Sequence, residues 1–237
     1  MDKPFSQACE NNRQPIFAVL EPLLADKTSV LEIGSGTGQH SVWFAKQLPH
    51  LQWQTSDLEG NHRGINLWLD AYPSANLQAP IALNMLENHW PECSYDGIYS
   101  ANTAHIMPWD AVVNMIALVG QHLQSNGIFC LYGPMSYSGI ITAPSNIQFD
   151  RNLRQQAAHM GIREFHDINR LALEAGLVLL DDHSMPANNR LLVWQKNLVR
   201  PSSNTIYNPH DYPTPNLSIP IHNTRLASGA LCFQTRR

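Results

Sequence analysis

The sequence predicts an α/β fold, a seven-stranded and mostly parallel sheet with an antiparallel last strand and helices on both faces. Three observations predict it. From Ser29 onward, short apolar runs alternate with stretches of helical spacing; a glycine-rich turn, Gly34-Ser35-Gly36-Thr37-Gly38, follows the first run; and a seven-residue link joins the last two. Such alternation marks βαβ units, whose crossover helices keep neighbouring strands parallel.

The strands are read at Ser29 to Ile33, Gln52 to Ser56, Ala79 to Leu83, Tyr95 to Ala101, Gly127 to Gly133, Leu177 to Asp182 and Arg190 to Lys196. Between them, Ser41 to Leu48 carries Val42, Ala45 and Leu48 on one helical face, and Ala111 to Leu123 repeats the pattern. Arg163 to Ala175 places Phe165, Ile168, Ala172 and Ala175 at three- and four-residue spacing, with Gly176 as its stop. The link His183 to Asn189 is too short for a crossover helix and suits a hairpin, which turns the final strand antiparallel. Ahead of the sheet, Ile16 to Leu24 reads as a helix that Pro22 kinks or ends, lying across the ligand pocket.

Two stretches break the alternation. Pro134 to Gly161 is rich in Ser, Gly, Pro, Asn and Gln and reads as a functional loop with a short helix near Phe149 to His159. After one domain over 1–199, Pro201, Pro209, Pro213, Pro215 and Pro220 interrupt any periodicity, so 200–237 reads as an irregular extension. Its apolar residues Leu217, Ile219, Ile221 and Phe233 leave docking on the domain or a partner as the other reading.

Composition narrows the function. Charged residues make up 14%, against roughly 25% in an average globular protein, and the net charge is −4 with no basic run, so nucleic acid is an unsuited partner. Cys9, Cys93, Cys130 and Cys232 form no C-x-x-C pair, and the eleven histidines show no ligand spacing, so no metal site or disulfide framework is expected. The polar start MDKPFSQACENNRQ and the lack of a long apolar run predict a cytoplasmic protein with no membrane span. Zinc peptidase, serine hydrolase and P-loop motifs are absent.

The glycine turn lies between a strand and a helix, where main chain can approach a ligand without Cβ interference. A dinucleotide fingerprint would need glycine at Gln39; the spacing here is Gly34, Gly36, Gly38, with Glu32 two residues ahead. Asp57 ends the second strand, where a carboxylate can accept from both ribose hydroxyls. This set favours S-adenosylmethionine, a cationic and phosphate-free cofactor, over NAD, with Ser35, Thr37 and Leu58 completing the contacts. Asn84 is placed either to meet the adenine amine or to make a turn, and Met85 either to cover the ring or to fill the core. Asn102 and His105 end the fourth strand as catalytic candidates, with a hydrogen-bonded structural role as the alternative for His105.

Several strings resemble one family, methyltransferase-like protein 26 and its bacterial relatives, a branch of the class I methyltransferases with a Rossmann-like fold. They are ACENNRQPI, VLEIGSGTGQH, the Ser56-Asp57 pair, HIMPWD, LYGP, TAPSNIQFDRNLR, GIRE and MPANN, spread from about Pro4 to Lys196. The resemblance implies cofactor contacts at Glu32, Gly34, Gly38, Asp57, Asn84 and Asn102. Asn84 departs from the family's usual Asp, and the extension after Arg200 lies outside the pattern.

The resulting expectation is methyl transfer to a small-molecule or protein acceptor. Arg13, Tyr132, Asn146, Asp150 and Arg154 are expected on the substrate side together with Asn102 and His105, although Asp150 and Arg154, four apart, also suit a simple ion pair. The alternative is a module that binds S-adenosylmethionine without turnover and partners another protein.

Overall fold

The computed structural model describes residues 2–87 and 89–197, so the extension 200–237 and Cys232 lie outside the described residues. Seven strands form the main sheet: β1 (Ser29–Ile33), β2 (Gln52–Asp57), β3 (Leu77–Ala82), β4 (Tyr95–Ala101), β5 (Leu123–Gly133), β8 (Leu177–Met185) and β9 (Asn189–Lys196). A second, two-stranded sheet pairs β6 (Met135–Ser136) with β7 (Arg163–Glu164). The helices are α1 (Gln7–Leu23), α2 (Gln39–Gln47), α3 (His62–Ala71), α4 (Trp109–His122), α5 (Pro144–Gln156) and α6 (Phe165–Glu174).

The strand order is β3-β2-β1-β4-β5-β9-β8. The first five are parallel, while β9 runs antiparallel to both β5 and β8. The hairpin inferred from HSMPANN is therefore present, with Pro186–Asn188 as its tip. The chain moves outward from β1 through β2 to β3, then returns to β4 on the other side. This reversal opens a crevice at the carboxyl ends of β1 and β4, the place where open α/β sheets bind ligands.

Strand periodicity sends alternate residues to two cores. Leu31, Phe129, Leu131, Leu192 and Trp194 join the core that α4 and α6 cover. Val30, Ile128, Cys130, Leu191 and Val193 join the other, with Ile16 and Leu20 of α1 and Phe44 of α2. Glu32 alternates with Leu31 and Ile33, and this register puts a carboxylate beneath α2.

Several boundaries differ from the sequence reading. The first helix starts nine residues earlier than Ile16 and runs through both Pro15 and Pro22. Each proline removes the donor that would bond the carbonyl four residues back, Asn11 for Pro15 and Ala18 for Pro22, but Asn12, Ile16 and Leu20 recur on one face and bury it. The helix read near Phe149 to His159 begins at Pro144, a favourable first-turn position for proline. Helix α3 is absent from the sequence reading although Ile65, Trp68 and Leu69 recur at helical spacing; of its ten residues only Ile65 is fully buried.

Candidate active site

Gly34, Gly36 and Gly38 all adopt positive φ, at +73°, +58° and +87°. Ser56 at the end of β2 holds the turn: its carbonyl accepts from the amides of Gly34 and Ser35 at 3.0 and 2.9 Å. A Cβ on Gly34 would lie 2.5 Å from Cγ2 of Thr103, so close approach of the β4 loop requires glycine there. A Cβ on Gly36 would meet nothing within 4 Å, because this residue faces the open crevice. Main chain is thus bared to a ligand at Gly36, the arrangement that the spacing predicts.

Glu32 is buried, and one oxygen of its carboxylate, Oε2, accepts from Ser35 Oγ at 3.2 Å, from Trp53 Nε1 at 3.0 Å and from Ser41 Oγ. Burial pushes its carboxyl above the usual range, opposed by these three donors. The residue ties the glycine turn, α2 and β2 together. Asp57 Oδ2 accepts from the amide of Gly36 at 2.7 Å, while Oδ1 accepts from the Leu58 amide and Asn61 Nδ2, both at 2.7 Å. A carboxylate has about four acceptor sites, so three are filled and one, on Oδ2, stays open for a hydroxyl. Sequence alone assigned this carboxylate two hydroxyls.

At the end of β3, Asn84 makes a turn. Its Oδ1 accepts from the Leu86 amide at 3.1 Å and its Nδ2 donates to Glu87 at 2.9 Å. Met85 is buried in the core and also lines the crevice. Leu58, 53% exposed, stands at the rim.

The loop after β4 carries the least ordinary backbone. Asn102 has φ +58°, a conformation costly for a residue with a Cβ and most tolerable for Asn, and its amide donates to the Tyr132 carbonyl at 2.8 Å. His105 is buried, edge-on to Phe149 with ring centroids 5.2 Å apart, and neither ring nitrogen has a hydrogen-bond partner among the described residues. Burial, helped by the Arg163 charge, lowers it to about 4, so the imidazole is neutral near pH 7 and retains a free acceptor nitrogen. Arg163 fastens this loop. It donates to the carbonyls of Ala104 and Met107, on either side of His105, at 2.8 and 2.5 Å, and to that of His159 at 2.9 Å.

Of the residues expected on the substrate side, Asn146 lines the cavity, with its amide donating to the Asn188 carbonyl at 2.9 Å. The other four lie elsewhere. Arg13 pairs with Glu10 at 2.6 Å and lies over the Trp43 ring, on the α2 side of α1. Tyr132 alternates into the sheet core, where its hydroxyl is bonded to Asn12 and Asn189, both of which line the cavity. Asp150 and Arg154 pair with each other at 2.8 Å, and Asp150 also accepts from the Ile162 amide, so they brace the segment after α5. Spacing of four on a helix favoured that ion pair from the start.

Sequence reasoning missed the start of α1. Ser6, Ala8, Cys9 and Asn12 all line the cavity. Asn12 Oδ1 lies 2.7 Å from His40 Nε2, and Tyr99 hydroxyl lies 3.2 Å from His40 Nδ1, a buried chain beneath the turn. Burial lowers His40 to about 4 as well. The signal was present in the polar string ACENNRQ, which carries no apolar period to mark a helix.

Together these elements enclose about 900 Å³, a volume suited to a nucleoside cofactor with a second small molecule. Among the described residues no group of three or more His, Cys, Asp or Glu is placed to hold a metal ion, and no helix is long and apolar enough to cross a membrane.

Solved structures share the fold. An O-methyltransferase family protein from Burkholderia thailandensis superposes with a TM-score of 0.70 at 16% identity, over 78% of this chain and 56% of that one. An O-methyltransferase family 2 protein from Planctomyces limnophilus, complexed with apigenin, gives 0.70 at 14% identity, over 80% and 57%. Human N-acetylserotonin methyltransferase in complex with SAM gives 0.63 at 12% identity, over 78% and 53%. The chain thus spans little more than half the length of these structures. Residues 3–196 match the model of the family described as protein of unknown function (DUF938), and the chain belongs to that family.

Proposed function

We propose that the protein is an S-adenosylmethionine-dependent methyltransferase. The observation that carries this reading is the juxtaposition, around one cavity, of the bared Gly36 main chain, the Asp57 carboxylate and the unpartnered imidazole of His105. The donor set fits the cofactor: carboxylates for a cationic ligand, one open acceptor for a ribose hydroxyl, and apolar Leu58 and Met85 for an adenine face. Bound there, the cofactor supplies an activated methyl group. The Rossmann-like fold shared with methyltransferases, one complexed with SAM, supports the same reading, as does the resemblance to methyltransferase-like protein 26.

The protein's own task is alignment and water exclusion, since displacement at an activated carbon depends chiefly on reactant placement. Gly36 and Asp57 hold the cofactor, with Glu32 bracing the turn from below. His105, neutral and held by Arg163 through the carbonyls beside it, accepts the proton of the acceptor. Asn102 shapes the floor between the two ligands through its strained backbone.

Incubation with methyl-labelled S-adenosylmethionine and cell extract, with metabolite and protein fractions separated, tests the reading. Label in an acceptor fraction that disappears with His105→Phe is the expected result. Tight cofactor binding with no transfer to any fraction would instead identify a non-catalytic binding module.

A further inference from the structure

The acceptor side of the cavity has a composition that selects its ligand. Ile106 and Phe149, 47% and 37% exposed, join Met107 and Met160 as its walls. No lysine or arginine lines the cavity among the described residues. The arginines carried by neighbouring segments are engaged elsewhere: Arg13 with Glu10, Arg154 with Asp150, and Arg163 with three main-chain carbonyls. Among the described residues the acidic groups of the lining, Glu32 and Asp57, belong to the glycine-turn side.

We propose that this half of the cavity takes an uncharged, flat, hydroxyl-bearing small molecule of the phenol class and turns away acceptors that carry a carboxylate or phosphate. The inference rests on the methyltransferase reading for which ligand sits beside it, but not for its own chemistry. A desolvated anion there finds no lysine or arginine in the lining free to pair with it, which makes its burial costly. An aromatic ring meets thioethers and the Phe149 ring, all favourable partners. The rings of Phe149 and His105 stand at 78° to each other and form a corner. A planar ligand rests along one side of it while its hydroxyl donates to the free nitrogen of His105, which lines the cavity with no donor among the described residues.

Calorimetry with the full chain tests this, with and without S-adenosylhomocysteine, using naphthol, naphthalene, naphthoate and naphthyl phosphate as probes. Naphthol is expected to bind at least about tenfold more tightly than the two anions and about five- to tenfold more tightly than naphthalene. His105→Phe keeps an aromatic ring and removes the acceptor, so it abolishes the preference over naphthalene while leaving the product's affinity unchanged. Phe149→Ala, on a solvent-facing part of α5, weakens naphthol and naphthalene alike. Tighter binding of naphthoate or naphthyl phosphate, a naphthol preference that survives His105→Phe, or no binding of any probe overturns the proposal. A chain that ignores S-adenosylhomocysteine but still selects naphthol through His105 upholds this ligand class and overturns the methyltransferase reading.

Discussion

Gln39 holds both main-chain polar groups of Ser6: its side-chain oxygen accepts from the Ser6 amide at 2.5 Å, and its side-chain nitrogen donates to the Ser6 carbonyl at 3.3 Å. The same nitrogen donates to Glu10 at 2.8 Å, and Thr37 hydroxyl donates to the same oxygen at 3.0 Å. The residue that separates this turn from a dinucleotide fingerprint is therefore also the clamp that seats the start of α1 over the cavity. Gln39→Ala should remove about 1–3 kcal/mol of local stability. Hydrogen exchange is the measurement, with faster exchange expected at residues 6–12 and unchanged protection in β4 and β5. Equal protection of 6–12 in the variant would remove the clamp role.

Asp57 combines a structural bond to the Gly36 amide with one open acceptor site. Asp57→Ala should weaken S-adenosylhomocysteine by about ten- to a hundredfold, the loss of one charge-assisted hydrogen bond. Calorimetry on a variant with native circular dichroism decides it, and an unchanged Kd would exclude Asp57 from the site.

Gly34→Ala sets a methyl group 2.5 Å from Cγ2 of Thr103, whose hydroxyl is held 2.6 Å from that of Ser100. Thr103 is stiff and pinned, so it cannot swing aside. The overlap and the positive φ together should cost about 2–4 kcal/mol. Adding Thr103→Ser removes Cγ2 but keeps the hydroxyl, so roughly half should return while the backbone share persists. Thermal melting of the single and double variants measures both parts.

His40 and His105 are each lowered by burial from the ordinary 6.5 to about 4. Between these values the unfolded chain binds protons that the folded chain refuses, so stability is full above pH 6.5 and falls as pH drops toward 4, by roughly 3 kcal/mol for each histidine. Glu32, raised by burial, works in the opposite direction. Urea denaturation of the parent and His40→Gln at pH 7.5 and pH 5 isolates the histidine share. The variant should lose distinctly less stability on acidification, and parallel losses would rule out His40 as a contributor.

Legibility in the sequence followed burial. Strands β1 and β4 were read to the residue, because a strand covered on both faces is rich in apolar residues, here Val30, Leu31 and Ile33 in β1 and Tyr95, Ile98, Tyr99 and Ala101 in β4. Helix α3 and the first turns of α1 escaped because they are half-exposed, and what holds them is distant in sequence: Trp68 donates to the Pro4 carbonyl at 2.6 Å, and Gln39 clamps Ser6. The site divided the same way. Local chemistry marked the glycine turn and Asp57, whereas Arg13, Asp150 and Arg154 are polar groups on segments that flank the cavity but face other elements.

By itself, the sequence determined the sheet, the antiparallel return and the turn that bares main chain, because each follows from periodicity or from residue types confined to one segment. Only the tertiary structure decided which side chains look into the cavity, that Asp57 has a single open acceptor, and that His105 has no hydrogen-bond partner among the described residues. Those outcomes depend on how donors and acceptors far apart in the chain pair when desolvated, and no local pattern encodes that pairing.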